Sequence, residues 1–268
     1  MPSITRDGQT LHYRQAGDGE QTVILSHSYV CDSKQYEHQV AALAGAGFRA
    51  IAYDHRDSGS SSLASGPYTL EDMVDDGLTV IDQLGGGRPV DWVGLSTGGF
   101  VGMRIAARHP EKIRRLVLMD TSAGGEPRFK RLRYDALLMG LRLLGVRAVI
   151  GPASKSLFGR TFLNDRGRKA ERDEWLKRMS SYDPGGLVRF GKAIFSRPDF
   201  EPQLGKITAP TMVIIGAEDT AIGMGPPRRL QAGIPGARLE VVEKAGHLAT
   251  IEAPQACSLL ILEHLQGE

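Results

Sequence analysis

The sequence has little cysteine, no long apolar run and almost no charge imbalance, and each shortage removes a class of protein. Cys31 and Cys257 are the only cysteines, too few and too far apart for a disulfide framework or a C-x-x-C metal site. No histidines fall at H-x-H or H-E-x-x-H spacing, so neither a metal nor another cofactor is expected. No window approaches the roughly 18 apolar residues of a membrane span. Lys and Arg outnumber Asp and Glu by 33 to 31, so global charge gives no reason to expect nucleic acid or a membrane surface as a partner. The opening MPSITRDGQT lacks the basic start and apolar stretch of a signal peptide, which makes the cytoplasm the expected location. What is present is a chain of 268 residues, 41% hydrophobic and 24% charged. That is enough for one large soluble α/β domain with a sizeable core.

The pattern of that chain is an alternation. SITRDGQTLHYRQAGDGEQTVILSHS reads as two short alternating strands joined at Asp7-Gly8, then a buried strand. KQYEHQVAALAGAGF has helical spacing ending at glycine, RAIAYD is an apolar strand, and YTLEDMVDDGLTVIDQLGGG is a helix closed by glycines. VDWVGLS, FVGMRIAARHP, KIRRLVLMD, APTMVIIG and RLEVVEKAG continue the alternation of strand and helix. Such a chain makes an α/β fold, a mostly parallel eight-stranded sheet covered by helices on both faces. The alternation breaks between about Thr121 and Lys206, where only helical spacing appears. The expected organisation is therefore a core of residues 1–122 and 206–268 with a helical cap at 123–205. Residues 123–203 hold 17 Lys and Arg against 9 Asp and Glu, an excess that fits either solvated helix faces or a basic lid favouring an anionic substrate.

Chemistry enters at DWVGLSTGG. Ser96 follows the strand VDWVGL, precedes the helix TGGFVGMRIAARHP, and lies between Gly94 and Gly98. That strand–turn–helix context makes G-x-S-x-G informative, because the sharp turn lifts the serine clear of the sheet beside the free N–H groups of a helix N-terminus. A serine nucleophile needs a histidine base and a carboxylate to orient it. Downstream, TMVIIGAEDT reaches Asp219 and LEVVEKAGHLATIEAP reaches His247, each just past a strand. The order Ser, Asp, His is the expected one; Glu218 is the reserve acid. Alone, Asp219 could be a loop-capping aspartate and His247 a surface histidine; it is their order and placement that point to catalysis.

Carried together, these motifs resemble the α/β-hydrolase superfamily from about residue 10 to 265. The resemblance implies that the loop SHSYVCDS supplies one oxyanion donor, and position assigns the donors as the backbone N–H of Tyr29 and of Thr97. Ser28 stands where that family usually has glycine, and His27 is either a brace for this loop or an ordinary buried histidine. PYTLEDMVDD, GLSTGG, HPEKIRRLVLMDTSA and AGHLATIEAP are similar to 3-oxoadipate enol-lactonases, whose small anionic lactone would suit a basic cap. YDHRDSGSSS resembles aclacinomycin-type methylesterases, with Asp57 in place of a glycine, and the elbow is shared with cofactor-free haloperoxidases.

The resemblance and the motifs together lead to a serine hydrolase acting on a small carboxylic ester or lactone without a cofactor. Alternatives are a polyketide methylesterase, a perhydrolase, lyase or acyltransferase working through the same serine, and, in another class, a small-molecule receptor on this fold. Tyr29, Phe129, Trp175 and Phe190 are candidates for the pocket wall, each also explicable as packing. Oligomeric state is not encoded in any of these features.

Overall fold

A computed structural model describes residues 2–267, with the side chains of 128–131 left undescribed. Its centre is one eight-stranded sheet in the order β1-β2-β4-β3-β5-β6-β7-β8, as the alternation predicts. The strands are β1 Ser3–Arg6, β2 Gln9–Ala16, β3 Thr22–Ser26, β4 Arg49–Tyr53, β5 Val90–Leu95, β6 Ile113–Met119, β7 Thr211–Gly216 and β8 Arg238–Val242. Only β1 with β2 and β2 with β4 pair antiparallel; β4, β3, β5, β6, β7 and β8 run parallel. The central strands β3, β5 and β7 are buried at every residue, which is why they read as continuous apolar runs rather than as alternations.

Helices α1 Glu37–Gly45, α2 Leu70–Leu84, α3 Thr97–Arg108, α9 Gly225–Gly233 and α11 Pro254–Gln266 flank the sheet, and the short α10 Ala249–Glu252 precedes the last of them. Local chemistry sets their starts. Thr69 and Asp72 form a reciprocal capping box before α2, satisfying two backbone donors that the first turn leaves open. Five helices lie between β6 and β7: α4 Arg128–Leu144, α5 Val146–Leu157, α6 Arg160–Asn164, α7 Lys169–Met179 and α8 Pro184–Phe195. Asp183 caps α8 by accepting from the Gly186 N–H at 2.6 Å, with Pro184 at the first helical position. This insertion shares its apolar contacts with the core. Phe190, Ala193 and Ile194 join one buried cluster, and Leu138, Phe158, Trp175 and Leu187 join the other. Among the described residues no helix is long and apolar enough to cross a membrane.

Candidate active site

Parallel strands deliver their C-terminal ends to one edge of a sheet, and β5, β7 and β8 each hand a loop to that edge. Ser96 is the first residue beyond β5. Its backbone takes φ 52°, ψ −105°, a conformation that costs a side-chain-bearing residue on the order of 1–3 kcal/mol and persists only where its surroundings enforce it. The surroundings here are hydrogen bonds. Ser96 N–H donates to Met119 O at 2.8 Å, and the Thr121 hydroxyl donates to Ser96 O at 2.8 Å.

The glycines answer to close approach. A Cβ on Gly98 would stand 1.9 Å from Ser26 O on β3, and one on Gly94 would stand 2.2 Å from Gly98 O. Both are backbone collisions, so α3 can start this near the sheet only without those side chains. Trp92 locks the same turn by donating its indole N–H to Gly98 O at 3.0 Å.

Asp219 and His247 meet in a hydrogen bond of 2.9 Å between Asp219 Oδ2 and His247 Nδ1. Asp219 Oδ1 accepts the N–H groups of Ala221 at 2.7 Å and Ile222 at 3.0 Å. Burial pushes this carboxyl up, but the adjacent imidazole and the two amides outweigh it and hold Asp219 below the usual carboxylate range. It is therefore an anion under ordinary conditions, able to fix which imidazole nitrogen carries the proton. Glu218 turns the other way: its two oxygens accept the Thr161 N–H and hydroxyl of α6, both at 2.7 Å. The reserve acid is thus a clasp on the insertion. Ser96, Asp219 and His247 are all buried, at 8%, 7% and 5% exposure, so whatever reaches them does so beneath a roof.

The loop after β3 is braced from below. His27 Nδ1 lies 2.7 Å from Ser28 O, which can only accept, and its Nε2 accepts the His55 N–H at 3.0 Å. His27 is therefore neutral with its proton on Nδ1. Burial, opposed in part by Asp54, holds its pKa down. The bracing role is the one this histidine occupies. Ser28 needs no glycine-like backbone, because the positive φ of this loop falls on Val30, at 55°. Instead Ser28 gives its N–H and hydroxyl to Gln35 Oε1 at 3.1 and 3.0 Å. Among the described residues the N–H groups of Tyr29 and Thr97 have no acceptor.

The expected wall residues divide. Tyr29 donates its hydroxyl to Leu187 O of α8 at 2.7 Å and packs edge-on against Phe190, 5.3 Å between centroids. Phe190 also packs against His27 and His55. Trp175 is buried in the core cluster, and the Phe129 side chain lies outside the described residues. Asp57, in place of a glycine, does adopt a positive φ of 60°; its carboxylate takes a paired grip on Arg189 of α8 at 2.6 and 3.0 Å.

Two residues escaped the sequence reading. Glu252, five positions after His247, accepts the N–H groups of Gly246 at 3.0 Å, Leu248 at 3.2 Å and Gly159 at 2.7 Å. It grips the histidine loop on both sides of the histidine. Burial pushes its carboxyl up to about 7 against those three donors. Asp32 accepts from Arg178 Nε and the Tyr182 hydroxyl, both at 2.7 Å. Two open clefts among the described residues are separate features. One of about 500 Å³ is lined by Gly124, Arg197, Glu201 and Arg229 among others, one of about 390 Å³ by Tyr68, Arg142, Arg189 and Lys192 among others, and neither is lined by Ser96, Asp219 or His247.

Comparison with known proteins agrees with this architecture. The chain is 28% identical over 271 residues to the 2-hydroxy-6-oxononadienedioate/2-hydroxy-6-oxononatrienedioate hydrolase of Paraburkholderia xenovorans, covering 97% of this chain and 92% of that one. It is 30% identical over 271 residues to the "Putative carbamate hydrolase RutD" of Caulobacter sp. strain K31, covering 100% and 99%. The crystal structure of the enol-lactonase from Burkholderia xenovorans LB400 superposes with a TM-score of 0.91 at 29% identity, covering 99% and 100%. A family model described as the alpha/beta hydrolase fold matches residues 21–254. With the parallel sheet, the strained turn after β5 and that match in hand, the chain belongs to the α/β-hydrolase family.

Proposed function

We propose that this hydrolase cleaves a carboxylic ester or lactone of a small anionic acid through an acyl-enzyme on Ser96, with His247 as base, Asp219 as its orienting acid, and residues 123–205 as the cap. The observation that carries the proposal is the strained Ser96 turn at a helix start, on the sheet edge that also carries the Asp219–His247 bond. His247 Nε2 takes the hydroxyl proton as Ser96 Oγ bonds to the carbonyl carbon, and Asp219 stabilises the imidazolium. The open N–H groups of Tyr29 and Thr97 receive the oxyanion. Collapse breaks the bond to the leaving oxygen, which takes the proton from His247. Water, deprotonated by the same histidine, then releases the acid and restores Ser96.

The basic insertion supports an anionic substrate. Some of its cations are committed to core carboxylates, as Arg178 to Asp32 and Arg189 to Asp57. Arg142 and Lys192 have no carboxylate partner among the described residues, and the names of two relatives, an oxo-dienedioate hydrolase and an enol-lactonase, describe acids or their lactones. A second reading, hydrolysis of a carbon–carbon bond, rests on the likeness to the dienedioate hydrolase.

The test is fluorophosphonate labelling with mass mapping, beside p-nitrophenyl acetate turnover by wild type and Ser96→Ala. Label on Ser96 and a loss of at least about a thousandfold in the variant are expected. Absence of both points to a receptor on this fold. Product analysis with half-esters, lactones and vinylogous diketo-acids separates the two hydrolytic readings.

A further inference from the structure

Behind Asp219 lies a second carboxyl group that the proposed mechanism does not use. Asp120 is the first residue past β6, wholly buried, with a positive φ of 45°. A non-glycine residue is held in that region only at a cost. Its own N–H bonds Ile214 O at 2.8 Å, and its Oδ1 accepts the Gly216 N–H at 2.8 Å, so it is pinned to the end of β7. Its Oδ2 is buried and has no partner among the described residues. An oxygen so placed is expensive as an anion and cheap as a donor.

Gly216 joins it to Asp219 in the loop after β7, giving its N–H to Asp120 Oδ1 and accepting the Asp219 N–H on its own oxygen at 3.0 Å. The charged or titratable groups around Asp120 are the carboxyl of Asp219, the carboxyl of Glu252 from α10 and the thiol of Cys257 from α11. The phenol of Tyr36 lies near enough to feel its charge. Among the described residues no cation bonds it. Burial and then the Asp219 charge push the Asp120 carboxyl well above the usual range.

The acceptor positions of Asp219 leave one place open. A carboxylate offers about four acceptor sites. Oδ1 is filled by two amides and Oδ2 holds His247, so one site remains on Oδ2. We propose that Asp120 is a neutral carboxylic acid whose O–H is donated to that remaining site on Asp219, making it a positioning residue for the catalytic acid. The inference rests on reading Asp219 as the acid of the triad. Its consequence is a shared proton behind Asp219 that holds the carboxylate in the plane His247 requires and tempers the charge His247 meets.

The test has two arms. Infrared difference spectra between wild type and Asp120→Asn, near neutral pH, are expected to show a protonated carboxyl band in wild type that the variant lacks. That arm is independent of turnover. If Ser96→Ala stays active the triad reading fails while the band stands; if the band is absent with Ser96 confirmed, this inference alone fails. The second arm follows the acid limb of kcat/KM. Asparagine keeps both bonds, its oxygen to Gly216 and its amide N–H to Asp219, so the limb is expected within about 0.3 pH units of wild type. Asp120→Leu, compared only where it remains folded by circular dichroism, loses the donor and leaves Asp219 a harder charge. Its limb is expected to move up by roughly half a unit to one unit. An ionised Asp120 would instead make Asp120→Asn lower the limb by roughly one unit or more. That downward shift, or a limb in Asp120→Leu identical to that of Asp120→Asn, overturns the proposal.

Discussion

Glu252→Gln should change how stability depends on pH, because Glu252 is a buried carboxyl with three backbone donors and no cation bonded to it among the described residues. Glu252 is 5% exposed and its carboxyl is raised from an ordinary 4.5 to about 7. A carboxyl raised by folding keeps its proton in the native state while the unfolded chain has released it. Its contribution is most favourable below about pH 4.5 and declines as pH climbs through about 7. The gap between those values is worth about 3 kcal/mol, at about 1.4 kcal/mol per pH unit.

Glutamine does not titrate. Its single oxygen can serve Gly159 and Gly246, but its amide nitrogen then faces the Leu248 N–H, a lost bond costing about 1 kcal/mol. Urea unfolding of both proteins from about pH 4.5 to 8 isolates Glu252, since the other titrating groups are common to both. The expected result is a wild-type advantage at the acid end that shrinks by about 3 kcal/mol toward the alkaline end and reverses sign. Parallel curves would refute the reasoning, because they would mean that Glu252 titrates alike in the folded and unfolded chains.

Gly98→Ala should be destabilising by about 3 kcal/mol and cost about a hundredfold in kcat/KM, since its methyl meets Ser26 O at 1.9 Å and must push the start of α3 off the sheet. Thermal unfolding and ester turnover within error of wild type would show that the turn has slack. Asp219→Asn should cut kcat by about ten-thousandfold, whereas Glu218→Gln, which only clasps Thr161, should stay within about threefold; assays of the pair decide which acid serves His247. Arg189→Met strands the Asp57 carboxylate, whose side chain is fully buried while that of Arg189 is 26% exposed. A loss of about 2 kcal/mol follows, below the full range for a buried pair because of that exposure, to be read from urea unfolding, with faster amide exchange across α8.

The parts of this molecule written in short stretches could be read from the chain alone. Strand and helix periods are local, and so is the demand for glycine around Ser96; the eight strands lie where the apolar runs place them. The position of Asp219 and His247 beyond successive strands was legible because parallel topology sends every strand end to one edge. What stayed hidden depends on pairs far apart in sequence. Asp57 looked like a turn residue, and its turn is real, but its partner Arg189 is 132 positions away. Glu252 works on backbone amides, which leave no trace in side-chain identity. Asp120 is indistinguishable from any strand-end aspartate until burial and the crowding of Asp219 are known. The basic excess of the insertion fitted both solvated faces and a lid, and the structure adds a third use, as counter-charge for core loops.

That third use follows one rule across the site edge. Most loops there reach into the insertion with a polar group: Tyr29 to Leu187, Asp32 to Arg178 and Tyr182, Asp57 to Arg189, Glu218 to Thr161 and Glu252 to Gly159. In four of the five the core supplies the carboxylate and the insertion supplies the donor, and two of those donors, Arg178 and Arg189, are among its basic residues. Each bond is worth only about 1 kcal/mol net, but lifting the insertion as a body would break all of them and strand buried carboxylates at greater cost. It would also expose Phe190 and Leu187, which complete the two buried clusters. Rigid opening is thus the most expensive path to Ser96, and entry by local displacement of single insertion helices the cheapest. A segment held in this way is tied directly to the loop around His247, because one carboxyl, that of Glu252, accepts the N–H groups of Gly159, Gly246 and Leu248 together.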